Sequence, residues 1–172
     1  KAELTSKTDD SYIGNKLVLP ENVLAFIPTE DENEAHCICA ILNSSIANLI
    51  LQSLARGTKS FGTPKFIKDY LNIPKFDPND QIHKKLSGCS KRAHELANED
   101  DNEELAKVES EIDNLVTQLY GLTDEEFKVI ERSLAILEGR EVEEEPEEVS
   151  VVLEVERVSE VYEVHGSEDI IV

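Results

Sequence analysis

Two apolar seams of closely similar rhythm constrain this chain more than any other feature. Ile82, Leu86, Cys89, Ala93 and Leu96 recur at steps of four, three, four and three, and Leu105, Val108, Ile112, Leu115 and Leu119 follow at steps of three and four. Stripes this narrow are helix seams of the coiled-coil kind. The acidic stretch Asn98–Glu104 between them is short enough to send the chain straight back, which predicts an antiparallel helical hairpin. Gly121 should stop its second helix. Thr123 followed by Glu126 forms a capping box, and Phe127, Ile130, Leu134 and Leu137 give a third helix that ends at Gly139.

The part before the hairpin mixes two kinds of pattern. Asn15–Leu19 and Val23–Ile27 are short runs bounded by Gly14, Pro20 and Pro28, as strands or extended edges are. Thr29 and Glu32 fit another capping box. From Ala35 to Leu54 apolar side chains occur nearly all round, which predicts a single central helix buried on several sides. Gly62-Thr63-Pro64 opens a further short helix, with Pro64 at its first position. Leu71-Asn72-Ile73-Pro74 reads as extended because Pro74 disfavours the helical region for Ile73, and Asp80 is a candidate cap. Together these predict an α+β, mainly helical fold: a small extended or sheet portion packed on a buried helix, then an antiparallel helical hairpin and a third helix.

Charge divides the chain as sharply as periodicity does. The formal net charge is -20, and residues 141–172 carry 12 acids against Arg157 alone. Glu141–Glu148 cannot bury enough apolar surface to offset its ordering entropy and reads as a linker. Beyond it Val151, Leu153 and Val155 alternate like a strand while Val158, Val161 and Val164 step by three, so no single period holds. The expected organisation is a recognition-like portion at 1–78, the hairpin with its third helix at 79–139, and an acidic tail at 140–172. No apolar run of membrane-spanning length occurs. Three cysteines fit a reducing compartment better than a disulfide framework, so the expected location is cytoplasmic. The sequence contains no Met, and it reads as a piece of a longer polypeptide.

Most site chemistries are excluded by spacing. His36, Cys37 and Cys39 could join His83, Cys89 and His94 around a metal, but on a helix Cys37 and Cys39 point about 200° apart and His83 and His94 stand roughly 16 Å apart. No metal site is expected. Cys37 and Cys39 lie among acids on an apolar helix, the opposite of what a thiolate nucleophile needs. Asn43-Ser44-Ser45 matches a glycosylation sequon inside a buried helix and is expected to be silent. Glycine-rich phosphate cradles are absent from the sequence, and no acid–base pair stands out among the many carboxylates.

One segment reverses the acidic trend. Arg56, Lys59, Lys65 and Lys68 are opposed between Arg56 and Tyr70 by Asp69 alone, with Phe61, Phe66 and Tyr70 interleaved and Thr58, Ser60 and Thr63 as hydroxyl donors. Cations, hydroxyls and aromatics together are the groups that contact phosphates and bases. Arg56, Lys59, Ser60, Lys65 and Lys68 are the candidate DNA-binding residues.

Read in order, Ala40-Ile41-Leu42-Asn43-Ser44-Ser45, then Leu71-Asn72-Ile73-Pro74, then Glu111-Ile112-Asp113-Asn114-Leu115-Val116 with Leu119-Tyr120-Gly121-Leu122-Thr123 and Glu126 resemble a known pattern. They are similar to the TaqI-like C-terminal specificity region of adenine-specific DNA methyltransferases and related type II restriction-modification enzymes. The resemblance spans about residues 15–131 and is most specific over Ile112–Glu126. It implies recognition and clamping of double-stranded DNA beside a catalytic methyltransferase domain of the parent chain. S-adenosylmethionine would belong to that domain, together with an Asn-Pro-Pro-aromatic motif that this sequence lacks, so the fragment by itself is expected not to be an enzyme. The rival expectation is a helical assembly module that docks the catalytic domain or a partner subunit with little DNA contact.

Overall fold

The computed structural model describes residues 7–12, 14–17, 27–55 and 67–140. Two four-residue strands open it, β1 (Lys7–Asp10) and β2 (Gly14–Leu17), paired antiparallel with Lys7 opposite Leu17 and Asp10 opposite Gly14. Helices make up the rest: α1 (Glu32–Asn43), α2 (Ser45–Ala55), a π-helical turn (Ile67–Leu71), α3 (Gln81–Asn98), α4 (Asn102–Leu119) and α5 (Asp124–Leu137).

The α+β expectation is overturned, because among the described residues the fold around the core is helical and contains no sheet layer. Among the side chains described, the core comes from helices and their connections: Ile38, Ile41, Ile46, Ile67, Leu71, Ile73, Leu86, Ile112, Val116, Ile130 and Leu134. α1 is covered by α3, and α2 by α5. A ribbon of two four-residue strands offers too little apolar surface to form a layer of its own. Of the two expected extended runs, Gly14–Leu17 covers the start of the first, while residues 23–26 of the second lie outside the described residues and Ile27 is irregular. The expected helix at Gly62–Pro64 also lies outside them.

The central helix from Ala35 to Leu54 is two helices, bent by 58° where they meet. Ser44 makes the break. Its backbone is extended (φ -68°, ψ 158°), and its Oγ donates to the Ile41 carbonyl at 2.8 Å while accepting from the Ala47 N–H at 3.3 Å. Ser44 therefore closes α1 and caps α2 at once, which is the competition with helix continuation that serine hydroxyls offer. The start of α1 also differs from expectation. Asp31, not Thr29, is its cap, accepting from the Asn33 and Glu34 N–H groups, while Thr29 Oγ1 bonds the Asp31 carbonyl and the Glu34 carboxylate.

The hairpin forms on the expected residues. Asp80 caps α3 through the Ile82 and His83 N–H groups. The turn needs only Glu99, Asp100 and Asp101: Asp100 takes a left-handed conformation (φ 56°), Asp101 N–H closes on the Leu96 carbonyl at 3.1 Å, and the Asp101 carboxylate then caps α4. Gly121 (φ 67°) ends α4 in a Schellman closure, with Leu122 N–H on the Thr117 carbonyl and Gly121 N–H on that of Gln118. Gly139 (φ 72°) ends α5 in the same way, and the Thr123–Glu126 capping box opens α5. Among the described residues no single helix is long and apolar enough to cross a membrane.

Candidate nucleic-acid interface

Arg56, Lys59, Ser60 and Lys65 lie outside the described residues. Lys68 falls within the π-helical turn, and its side chain is not described. What the structure defines is how the basic segment is held at its ends. α2 ends at Ala55, just before it, and the described chain resumes at Ile67. Ile67 and Leu71 are both buried, and the π-type bond from Asn72 N–H to the Ile67 carbonyl (3.1 Å) packs five residues into one turn. Tyr70 projects from that turn and is exposed, so one of the three aromatics of the segment is accessible. The Leu71–Pro74 stretch is not uniformly extended, since Asn72 takes a left-handed conformation (φ 46°) that re-aims the chain so that Ile73 is buried.

Tyr120 locks this corner. Its Oη donates to the Leu71 carbonyl at 2.8 Å, across 49 residues of sequence. Burial, with the nearby Cys37 as a lesser cause, pushes the phenol well above its ordinary range, so it stays a donor at any physiological pH. A second long-range lock ties the α1–α2 junction to α4. Asp113 accepts from the Ser45 backbone N–H at 2.7 Å and from Ser45 Oγ at 2.6 Å. The carboxylate satisfies a first-turn N–H of α2 and sits where the helix dipole favours negative charge. Burial raises the Asp113 pKa, and the two Ser45 bonds oppose that shift.

No family model, curated protein or solved structure matches the chain.

Cys37 and Cys89 are both held in the protonated form. Burial first, then Asp80 and Glu34, pushes Cys37 up to about 12, while burial and Glu111 push Cys89 up to about 11. Among the described residues no group of three His, Cys, Asp or Glu side chains comes together as a metal site. His36 and His94 do meet, edge to face at 5.3 Å between ring centres. Both lean on Ser90: His36 Nδ1 lies 3.0 Å from its Oγ, and His94 Nδ1 lies 2.7 Å from its carbonyl oxygen. Burial, His94 and Lys91 lower the His36 pKa, partly offset by Glu32.

A second cationic surface escaped the sequence reading. α3 carries Lys84, Lys85, Lys91 and Arg92 against Glu95 as its single acid. Lys84, Lys85 and Arg92 are exposed and Lys91 is half-buried, on the side of the helix away from His83, Leu86 and Ser90, which are buried. The signal was present as paired cations seven residues apart, masked by the acidity of the chain as a whole.

Proposed function

We propose that this chain is the DNA target-recognition part of an adenine-specific DNA methyltransferase or restriction-modification enzyme, clamping double-stranded DNA beside a catalytic domain that binds S-adenosylmethionine and transfers the methyl group. The observation that carries the reading is the pairing of its motif stretches in space. Ser45 of the Leu42–Ser45 stretch bonds Asp113 of the Glu111–Val116 stretch, and Leu71 of the Leu71–Pro74 stretch bonds Tyr120 of the Leu119–Thr123 stretch. Motifs that brace one another across 68 and 49 residues behave as parts of one design. They also brace the corner from which the basic segment continues, as a recognition loop on a rigid support requires.

The rival reading, a helical assembly module, draws support from Leu54 on α2 and Ile136 on α5, exposed apolar side chains on two helices that pack together. Titration of labelled duplex DNA with this chain across about 50 to 200 mM salt separates the two. Recognition predicts weak, salt-dependent binding that loses about one unit of log–log slope for each phosphate contact removed by changing Arg56, Lys59, Lys65 or Lys68 to Ala. Calorimetric titration with S-adenosylmethionine should give no binding heat. Affinity and slope unmoved by all four changes would favour assembly.

A further inference from the structure

The cations of α3 are arranged around one residue. Gly88 is an exposed residue in the middle of the helix; Lys84 and Lys85 precede it by four and three positions, and Lys91 and Arg92 follow by three and four. On a helix these are the positions that surround a residue on the surface, at about 5–6 Å between Cβ atoms. All four of the nearest surface neighbours of Gly88 are therefore Lys or Arg.

Among the described residues nothing requires glycine at the centre of this ring. A Cβ built at Gly88 meets no atom within 4 Å, and its backbone is helical. Glycine at such a place is a poorer helix former than alanine. The four cations are also largely available. Among the described residues Lys84 and Lys85 make no ion pair, whereas Lys91 reaches Glu32 at 3.2 Å and donates to Asn33 Oδ1 at 3.0 Å, and Arg92 reaches Glu95 at 3.4 Å. Both carboxylates are well exposed, and exposed pairs of that kind are weak, so a stronger anion displaces them readily.

We infer that the Gly88 saddle is a docking site for the phosphate backbone of a nucleic acid, resting on the reading that this chain binds duplex DNA. The bare centre selects the class of polyanion. A carboxylate at the end of an acidic side chain reaches these cations without its own backbone approaching the helix, so a Cβ at position 88 would not hinder it. A phosphodiester belongs to its polymer's backbone, which must itself come down onto the helix surface, and there the missing side chain matters. Lys84 and Lys85 supply point charges from one side, and Lys91 and the Arg92 fork supply donors from the other.

The test uses the full chain, labelled duplex DNA and a salt series, with three variants: Gly88→Glu, Gly88→Ala, and the double change Lys84→Gln with Lys85→Gln. The double variant should lower the log–log salt slope by about two units. Gly88→Glu should weaken binding at least about tenfold by setting a like charge against phosphate. Gly88→Ala should melt higher than the parent yet bind no tighter, and that rise in melting temperature shows the position tolerates change. If the parent binds DNA while the double variant and Gly88→Glu keep its affinity and slope, the saddle is wrong and the DNA reading stands. If the parent shows no salt-dependent binding at about 50 mM salt, both fall. A polyglutamate peptide that competes as well as the same number of phosphates, and equally against Gly88→Ala, overturns the choice of phosphate.

Discussion

Asp113 takes both hydrogen bonds that Ser45 can donate, with its two oxygens 2.7 Å from the backbone nitrogen and 2.6 Å from Oγ. The carboxylate is mainly a shape here, because burial works against its charge. Asp113→Ala should cost about 1–3 kcal/mol by leaving the Ser45 N–H without its partner, while Asp113→Asn, which keeps an acceptor, should cost less. Because the folded pKa is raised, Asp113 contributes more to stability when protonated. Its contribution falls as pH rises from the ordinary carboxylate range through the folded pKa, and Asp113→Asn should remove that slope in urea titrations taken between pH 3 and 6.

Tyr120→Phe isolates the other lock. It removes one oxygen and orphans the carbonyl of Leu71, a residue 1% exposed, so a loss of about 1–2 kcal/mol is expected in denaturant unfolding. The same change should loosen the corner where the basic segment rejoins the core, seen as faster amide exchange at Asn72, whose N–H closes the π-helical turn.

Gly121→Ala should destabilise the chain by about 1–2 kcal/mol, because φ of 67° places the residue in the left-handed region. A thermal melt against the parent checks this. An unchanged melting temperature would mean that the Schellman closure of α4 contributes nothing to stability.

His36 makes the chain acid-sensitive in a defined window. It is held by Ser90 and His94 and lies near Lys91, all on α3, with Glu32 of its own helix on the other side. Its folded pKa is lowered, so the neutral ring's contribution is complete above the ordinary value of 6.5 and is lost as pH falls below it. Urea titrations at pH 7 and pH 5 should show a drop for the parent and a smaller drop for His36→Gln.

Removing residues 141–172 should leave the melting temperature nearly unchanged, because α5 is already closed by Gly139 and the described core ends at Leu134. It should also strengthen DNA binding, since 12 acids leave with the segment. A large fall in melting temperature would show that the segment packs on the body.

The sequence revealed the features that rest on one residue's own chemistry. Asp80, Thr123 with Glu126, Gly121 and Gly139 could be placed because a cap or a left-handed residue needs no distant partner. The break at Ser44 was hidden, since apolar residues run past it on both sides and the hydroxyl decides the matter locally. Ser87 and Ser90 look like surface positions of a two-helix seam, yet both are buried, because α1 brings Asn33 and His36 onto them from 54 residues away. The expected sheet failed for a related reason. Short apolar runs bounded by Gly and Pro identify strands, but two four-residue strands make a ribbon and not a layer packed on the core. Of the candidate interface, periodicity on α3 would have exposed the cations around Gly88 had each helix been balanced for charge separately.

The 58° bend at Ser44 has a mechanical meaning if the chain clamps a duplex as proposed. One arm of the bend, α1, lies along the helix that carries the Gly88 saddle, and the other, α2, ends where Arg56 begins the basic segment. A single hydroxyl thus acts as a protractor between the helix that packs on the α3 cations' helix and the helix that leads toward Arg56. On the proposed reading, substitutions at Ser44 would change the angle offered to a duplex even where every cation is still present.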